Sequence, residues 1–275
     1  MILYDGHVHT PFCPHGTKDT LASYCEQAIK AGLKGISFTE HAPLPEGFTD
    51  TAPKQDSAMS KQDFYSYIEE VQAVRSIYQD HLAIGIGLEV DYIEGFEEQT
   101  ALLLNEVGPF LTDSILSVHF LKHGDTYTCM DYSPDVLISL ASSLGSIDAV
   151  HTLYYQTVLK SIQEDLGPYK PRRIGHMTLA NKFQIKAPPS RSFIREQDAI
   201  LSALLSGRYS LDFNVAGLRK PLCKETYPPL TVAKQAASMG IPLVFGSDAH
   251  QYKEMDHSPD DYQGLSFTAP ISISE

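Results

Sequence analysis

Short apolar, β-branched runs alternate with amphipathic helical patterns along this chain of 275 residues. The candidate strands are residues 2–9, 35–41, 82–92, 114–121, 173–177, 210–215 and 243–248. Strands joined by helical crossovers form parallel sheets, and a chain of this length is normal for one α/β barrel. We therefore predict a single α/β barrel domain over residues 1–275, with the tail after about residue 257 unassigned.

The helical segments between these runs have recognisable ends. The first helix is predicted to stop near Gly32, and the second opens at Ser60-Lys61-Gln62-Asp63, which resembles a capping box. Ser133-Pro134 predicts an N-cap followed by proline at the first helical position. Two further helices are predicted over 193–205, closing at Gly207, and over 228–239. The polar stretch 42–58 carries three prolines and is interpreted as an active-site loop rather than a domain boundary.

Composition narrows the possible functions. The chain is 43% hydrophobic with a net charge of −13, so we expect a buried core and no general affinity for nucleic acid. It has no apolar run of about 18 residues, so no transmembrane helix is predicted, and the N-terminus is interpreted as a strand rather than a signal peptide. Four cysteines without CxxC spacing predict reduced thiols in a cytoplasmic protein. Cys13, between His9 and His15, is interpreted as a small buried neighbour.

Imidazole and carboxylate side chains recur where the apolar runs end. They are His7, His9, His15, His41, Glu89, His119, His176, Asp248 and His250. In an α/β barrel, functional groups gather at the C-terminal ends of the strands. His7 and His9 share a face of the first strand, and Asp248 and His250 share a face at the end of the last. Nine such donors are too many for one ion, so we predict a cluster of two or three divalent cations, typical of phosphate ester hydrolysis.

Taken singly, most of these residues have a simpler interpretation. An isolated HxH pair is usually incidental, His15 suits a solvated loop, and His119 or His176 alone suits a hydrogen-bonded core histidine. Glu89 lies inside an apolar strand, where a carboxylate needs a partner. Coincidence is a poor explanation for donors at nearly every strand end, so the joint pattern favours a metal centre.

The motifs together resemble the polymerase and histidinol phosphatase (PHP) family of metallophosphoesterases. They are HVHT at 7–10, TEH at 39–41, GLEVDY at 87–92, SVHF at 117–120, IGHMT at 174–178 and GSDAH at 246–250. The stretch Gly217-Leu218-Arg219-Lys220 favours the histidinol-phosphatase branch. The resemblance implies a distorted TIM-like barrel of seven β/α units, with a trinuclear metal site at the C-terminal ends of the strands.

The resemblance also implies how the donors are shared. One cation takes His7, His9, Glu89 and Asp248; a second takes His119, His176 and the bridging Glu89; the third takes His15, His41 and His250. Zinc, manganese and iron all suit imidazole-rich ligation with carboxylates, so the metal stays open.

The implied reaction is hydrolysis of L-histidinol phosphate in histidine biosynthesis, with Glu89, Asp248 and His250 as catalytic residues. A hydroxide bridging the first two cations is expected to attack phosphorus, with Asp248 orienting it or taking its proton. His250 is one candidate proton donor to the leaving oxygen. Arg219 and, more weakly, Lys220 are predicted to bind phosphate. Tyr92, Glu40 and the loop 42–58 are predicted to select the imidazole and the amine. The only partner predicted is this small phosphorylated molecule, without nucleic acid or membrane; the oligomeric state is open.

Three other functions fit parts of the pattern. A PHP phosphoesterase or exonuclease acting on nucleotides is the first alternative, and the acidic composition argues against it. A metal-dependent amidohydrolase also begins with HxH and ends with a strand-end aspartate, but it needs fewer ligands than this chain offers. A non-catalytic metal-binding protein is the third. The remaining histidines, interpreted as surface or helix residues, are His81, His123, His151 and His257.

Overall fold

The computed structural model describes residues 3–255, 262 and 264–270, and its central feature is a seven-stranded parallel sheet that nearly closes into a barrel. The strands in chain order are β1 (Tyr4–Val8), β2 (Gly35–His41), β3 (Ala83–Asp91), β4 (Asp113–Ser117), β5 (Phe120–His123), β6 (Thr126–Cys129), β7 (Arg173–Ile174), β8 (Ser210–Asn214) and β9 (Leu243–Gly246). The sheet order is β1-β2-β3-β4-β7-β8-β9, while β5 and β6 form a separate antiparallel hairpin. The predicted α/β barrel is confirmed.

Helices connect the strands of the barrel. They are α1 (Leu21–Lys30), α2 (Lys61–Tyr78), α3 (Glu97–Val107), α4 (Pro134–Leu144), α5 (Ile147–Gln163), α6 (Ile194–Gly207), α7 (Ala216–Arg219) and α8 (Leu230–Ser238). Three short 3-10 helices cover Gly108–Phe110, Leu179–Phe183 and Tyr252–Glu254. No single helix in the described ranges is long and apolar enough to cross a membrane; α4 and α5 meet that test only as a pair, bent by 95° at their junction.

The predicted helix starts are confirmed. The Ser60 side chain accepts a hydrogen bond from the backbone N–H of Asp63, and Ser133 accepts one from Val136 ahead of a helix that begins at Pro134. The end of α6 differs slightly from the prediction, because the left-handed residue that closes the helix is Arg208 rather than Gly207.

Three predicted strands are shorter than expected: 173–177 is a strand only at Arg173–Ile174, 243–248 ends at Gly246, and 114–121 ends at Ser117. The run 114–121 was expected to be continuous, but β4 ends at Ser117 and the chain turns at His119 into the β5–β6 hairpin. The polar and aromatic residues that follow pair with each other instead of extending the barrel. The predicted start of the first strand at residue 2, His257 and most of the unassigned tail lie outside the described residues. Within the tail, Thr268 donates its backbone N–H to the Leu243 carbonyl.

The barrel closes between its first and last strands. The backbone N–H of His9 donates to the Ala249 carbonyl at 3.0 Å, and that of Asp248 donates to the His7 carbonyl at 2.8 Å. A parallel bridge pairs Val8 with Ala249. Because these contacts follow the last residue of β9, the final ligand-bearing segment lies directly against the first.

A buried ion pair fills the barrel interior. Arg173 is 2% exposed, and its guanidinium donates to the Asp113 carboxylate at 2.5 Å and to the Gly6 carbonyl at 2.8 Å. A Cβ on Gly6 would collide with this guanidinium, so the close approach requires glycine. The pair lies among strands β1, β4 and β7, and it ties them together inside the barrel.

Replacing Arg173 with methionine should lower the free energy of unfolding by about 3–5 kcal/mol, because it leaves Asp113 buried without its cation. Urea unfolding followed by circular dichroism measures the loss. The double variant Arg173→Met/Asp113→Leu should recover most of it, since no unpaired charge remains. Lys61→Met, at the exposed Lys61–Glu106 pair, is the surface control and should change little. An equal loss in the double variant would contradict this account.

Candidate metal centre

The nine predicted donors all lie at the C-terminal end of the barrel, and a chain of short contacts links them. The donor groups that lie close enough to hold an ion are His7-His9-Glu89, Glu89-His119-His176 and His9-Cys13-His41-His250. Asp248 Oδ1 is 3.2 Å from His9 Nε2, and His15 Nε2 is 3.2 Å from His250 Nε2. Side chains separated by more than 200 residues in the sequence thus share one cluster.

Glu89 lies at the centre of this cluster. Its carboxylate is 2% exposed, and its Oε2 lies 3.4 Å from His7 Nε2 and 3.5 Å from His9 Nε2. Its Oε1 lies 2.8 Å from His176 Nε2 and 3.7 Å from His119 Nε2. Oε2 also lies 3.2 Å from His41 Nδ1. The two carboxylate oxygens therefore face different sets of histidines, as expected of a carboxylate able to bridge two cations.

Three of the imidazoles are each oriented by a carboxylate other than that of Glu89. The Nδ1 contacts are His7 with Asp212 at 2.9 Å, His9 with Glu40 at 3.1 Å and His119 with Asp91 at 2.8 Å. A carboxylate on one ring nitrogen fixes the tautomer and turns the other nitrogen toward a metal. In all three residues Nε2 is the nitrogen directed at Glu89.

The distances within the cluster fit cations better than hydrogen bonds. Among the described residues, His7 Nε2, His9 Nε2 and His41 Nδ1 are buried without a hydrogen-bond partner. Their nearest carboxylate oxygens on Glu89 and Asp248 lie 3.2–3.8 Å away. Two donors that each lie about 2.0–2.2 Å from a tetrahedral ion are about 3.4 Å apart. These residues therefore fit the divalent metals that the motifs imply.

The third donor group lies beside the first. His15 and His250 both direct Nε2 toward the same point, since the Nδ1 of His15 contacts the Asp56 carbonyl at 2.7 Å and that of His250 the Asp248 carbonyl at 3.2 Å. His15 is exposed and does not belong to the close donor group. That group consists of His9, Cys13, His41 and His250. The interpretation of Cys13 as only a small buried neighbour therefore needs revision.

Local negative charge controls the protonation of the histidines. Burial disfavours the imidazolium of His9, but Asp248 and Glu40 outweigh burial and raise its pKa to about 9. Burial acts likewise on His119, and Asp91 and Glu89 raise its pKa to about 10. The carboxylates thus attract positive charge into the cluster, which protons supply when no cation is bound.

Backbone geometry places Asp248 over this cluster. Its φ of 52° is left-handed, a conformation that a non-glycine residue adopts rarely. The turn brings Asp248 Oδ1 to the His9 imidazole, while Asn214 donates its side-chain N–H to Oδ2 at 3.1 Å. The expectation that Asp248 extends the last strand is wrong, since β9 ends at Gly246.

A cavity of about 540 Å³ opens directly above the donors. It is lined by Glu89, His119, His176, Asp248 and His250 at its base, and by Lys54, Asp56 and Ser57 from the loop 42–58. Lys182, Asp131 and Lys220 line its wall. The loop 42–58 therefore lies where an active-site loop is expected.

Two of the predicted substrate-binding residues do not reach this cavity. Tyr92 is 2% exposed and donates its hydroxyl to Glu97. Glu40 is fully buried and accepts hydrogen bonds from the Thr10 backbone and hydroxyl and from the His41 backbone, besides its contact with His9. Both side chains make structural contacts and neither lines the cavity, and their role in selecting substrate stays a prediction.

The two basic residues that are predicted to bind phosphate lie in different positions relative to the cavity. Lys220 lines the cavity, whereas Arg219 lies beside it, donating to the Ser247 carbonyl at 2.8 Å and lying 3.6 Å from Glu254. Arg219 thereby supports the segment that leads into Asp248.

Sequence reasoning missed several residues of the site. Asp212 and Asp91 support ligand histidines, and each is an acidic residue inside an apolar strand, which is the same signal that singled out Glu89. Lys182 and Asp131, paired at 2.7 Å in the cavity wall, carry no local signal because their segments meet only in the fold. His151 is a helix residue, but it is fully buried rather than on the surface.

Comparison with known proteins establishes the class. The PHP domain family matches residues 5–216, and the chain belongs to that family. It is 47% identical to the histidinol-phosphatase of Bacillus subtilis over 92% of this chain and 96% of that protein. It is 34% identical to the probable histidinol-phosphatase of Deinococcus radiodurans over 92% and 88%.

Two solved structures share the fold. A candidate histidinol phosphatase from Listeria monocytogenes superimposes with a TM-score of 0.90 at 36% identity, covering 94% of this chain and 99% of that one. The histidinol phosphate phosphatase of Lactococcus lactis, solved with zinc, L-histidinol and phosphate, has a TM-score of 0.72 at 19% identity, covering 98% and 97%. The second likeness concerns the fold alone.

Replacing Asp212 or Asp91 with asparagine should weaken metal binding by about 10–100-fold, because the supported imidazole loses its orienting carboxylate. Competition with a metal-chelating dye measures the affinity. Asp135→Asn is the matched control, since Asp135 is 87% exposed and pairs only with Lys186. Unchanged affinity in both test variants would contradict the supporting role.

Cation binding to the metal-free protein should release protons. His9 and His119 have pKa values raised to about 9 and about 10, so both imidazoles bind protons near neutral pH and must lose them to accept a metal. Apparent affinity should therefore rise as the pH is raised from about 6 to about 8. Calorimetry in buffers of different ionisation enthalpy gives the proton count, and His123→Ala should leave it unchanged. A pH-independent affinity without proton release would contradict this charge balance.

Proposed function

We propose that this protein is a histidinol-phosphatase, which hydrolyses L-histidinol phosphate to L-histidinol and phosphate. The main support is the convergence of nine candidate metal donors, Glu89 among them, at one end of the barrel in a chain that is 47% identical to a histidinol-phosphatase over 92% of its length. We also propose that it acts as one barrel domain in the cytoplasm, which four free cysteines favour.

The proposed centre holds three divalent cations. His7, His9, Glu89 and Asp248 would bind one, Glu89, His119 and His176 the second, and His15, His41 and His250 the third. This division is supported by Glu89, which faces His7 and His9 with one carboxylate oxygen and His119 and His176 with the other. When bound, such cations act as Lewis acids toward phosphate oxygens and lower the pKa of water to roughly 7.

The cavity wall supplies binding groups for an anionic ester with a cationic side chain. Lys220 is the proposed phosphate ligand, because it lines the cavity and no carboxylate within salt-bridge distance holds it in the described chain. Lys182 is paired with Asp131 and would contribute a polar wall. Asp56 and Glu254 line the same cavity and are the proposed partners for the substrate's amine and imidazole.

The hydrolysis itself moves one phosphoryl group to water. A P–O bond forms to the water oxygen, the P–O bond to the histidinol alkoxide breaks in line with it, and the water proton is lost. Asp248 is placed to orient that water, since Asn214 fixes Oδ2 and His9 lies beside Oδ1. His250 lines the cavity, but its Nδ1 contacts the Asp248 carbonyl and ligation through Nε2 would remove its predicted role as proton donor. The proton that leaves the attacking water would then reach the alkoxide through solvent, which gives the neutral hydroxyl of L-histidinol.

Purified protein loaded with zinc or manganese should release phosphate from L-histidinol phosphate, and a chelator should abolish the release until metal is restored. Asp248→Asn should reduce kcat by about 100-fold or more, because charge stabilisation at the reacting centre is lost. Lys220→Met should raise KM by about 10–100-fold with a smaller effect on kcat, as expected for a charged contact to phosphate. Lys186→Met is the control, because Lys186 forms a solvent-exposed ion pair with Asp135.

A substrate panel tests the choice of substrate. Nucleoside monophosphates, single-stranded DNA, a phosphotyrosine ester and an amide or lactone should all be turned over more slowly than L-histidinol phosphate at equal concentration. Preference for nucleotides or DNA would replace the proposed substrate within the same family. Full metal loading without turnover of any member would favour a non-catalytic metal-binding protein.

A further inference from the structure

Cys13 occupies an unexpected place beside the donors of the third group. Its sulfur belongs to a set in which the donor atoms of His9, Cys13, His41 and His250 all lie within 4.8 Å of one another. The residue is fully buried, at 0% exposure. This position differs from that of a thiol that merely fills space between apolar side chains.

The turn after β1 directs the sulfur inward. The Cys13 backbone N–H donates to the Thr10 carbonyl at 3.0 Å, and the Cys13 carbonyl accepts from the backbone N–H of Gly16 at 3.4 Å. A Cβ on Gly16 would lie 3.4 Å from the sulfur and 3.4 Å from the His250 carbonyl, so the turn packs tightly over both. This turn therefore keeps the sulfur buried beside the segment that carries His250.

Two of the neighbouring imidazole nitrogens make no hydrogen bond. Among the described residues, His41 Nδ1 and His9 Nε2 are buried without a hydrogen-bond partner, and His15 and His250 direct Nε2 at each other from 3.2 Å. Cys25 offers a contrast, because it lies on the buried face of α1 with Leu21, Tyr24 and Ala28 and belongs to no donor group of the described chain.

We propose that Cys13 is a thiolate ligand of the cation held by His41 and His250. The inference rests on the proposed metal centre and adds a donor to it. On binding, the S–H bond breaks, a sulfur–metal bond forms, and the proton passes to solvent. A donor set of imidazole nitrogen and thiolate sulfur favours zinc or iron over manganese, so this position would differ in metal preference from the carboxylate-rich positions.

Cobalt substitution tests the proposal without relying on activity. Wild-type protein fully loaded with Co²⁺ should show a sulfur-to-cobalt charge-transfer absorption in the near ultraviolet, which nitrogen and oxygen ligands do not give. Cys13→Ser should lose this band while keeping its circular dichroism spectrum. X-ray absorption on zinc-loaded wild type should add a sulfur scatterer at about 2.3 Å, absent from the variant.

Two cysteine variants serve as matched controls. Cys25→Ser removes a buried thiol far from the donors, and Cys129→Ser removes one that lines the cavity beside Asp131; both should retain the band. Absence of the band in fully loaded wild type, its persistence in Cys13→Ser, or its loss in Cys129→Ser alone would overturn the proposal. If the loaded wild type hydrolyses L-histidinol phosphate but shows no band, the thiolate ligand is refuted and the proposed function stands. If the band is present but no L-histidinol phosphate is hydrolysed, the ligand stands and the proposed function is refuted.

Discussion

The whole site depends on how the charge of one buried carboxylate is balanced. Glu89 lies in the middle of an apolar strand, and an isolated ionised carboxylate there would be very costly. Five imidazole nitrogens lie within 3.7 Å of it, and three of those histidines are supported by a further carboxylate of their own. The carboxylates that support these histidines add further negative charge to the cluster. Protons alone therefore compensate this charge poorly, whereas divalent cations compensate it well.

The barrel architecture makes this convergence possible. Parallel strands all present their C-terminal ends at the same edge, so donors distant in the chain become neighbours without special loops. The closing contacts between β1 and the segment after β9 then bring Asp248 against the HxH pair. Inside the same barrel, Arg173 and Asp113 form a buried ion pair in which each side chain balances the charge of the other.

Much of this could be predicted from the sequence because the relevant signals are local. A few neighbouring residues are enough to recognise the end of a strand, the helix caps at Ser60 and Ser133, and the spacing of the donors. The β5–β6 hairpin was missed because Phe120 and Leu121 continue an apolar run, and only the pairing with Thr128 and Cys129 separates them from β4.

Side-chain roles were harder to predict than positions. Glu40 lies within β2 and Tyr92 directly follows β3, yet each side chain is hydrogen-bonded to a neighbouring residue. The pairing of Lys182 with Asp131 joins residues that are 51 positions apart. Cys13 shows the same limit, since nothing in the sequence distinguishes a thiol that faces histidines from one that faces the core.

The cluster draws its donors from residue 7 to residue 250, which has a consequence for how the chain is made. The ribosome delivers the HxH pair long before Asp248, so the complete chelate exists only after the whole segment between them has emerged. Ions that bind only the finished arrangement add their binding free energy to the stability of the whole barrel, about 2.7 kcal/mol for each site at a hundredfold excess over its dissociation constant. Scarcity of metal in the cell would therefore shorten the lifetime of the protein as well as slow its chemistry.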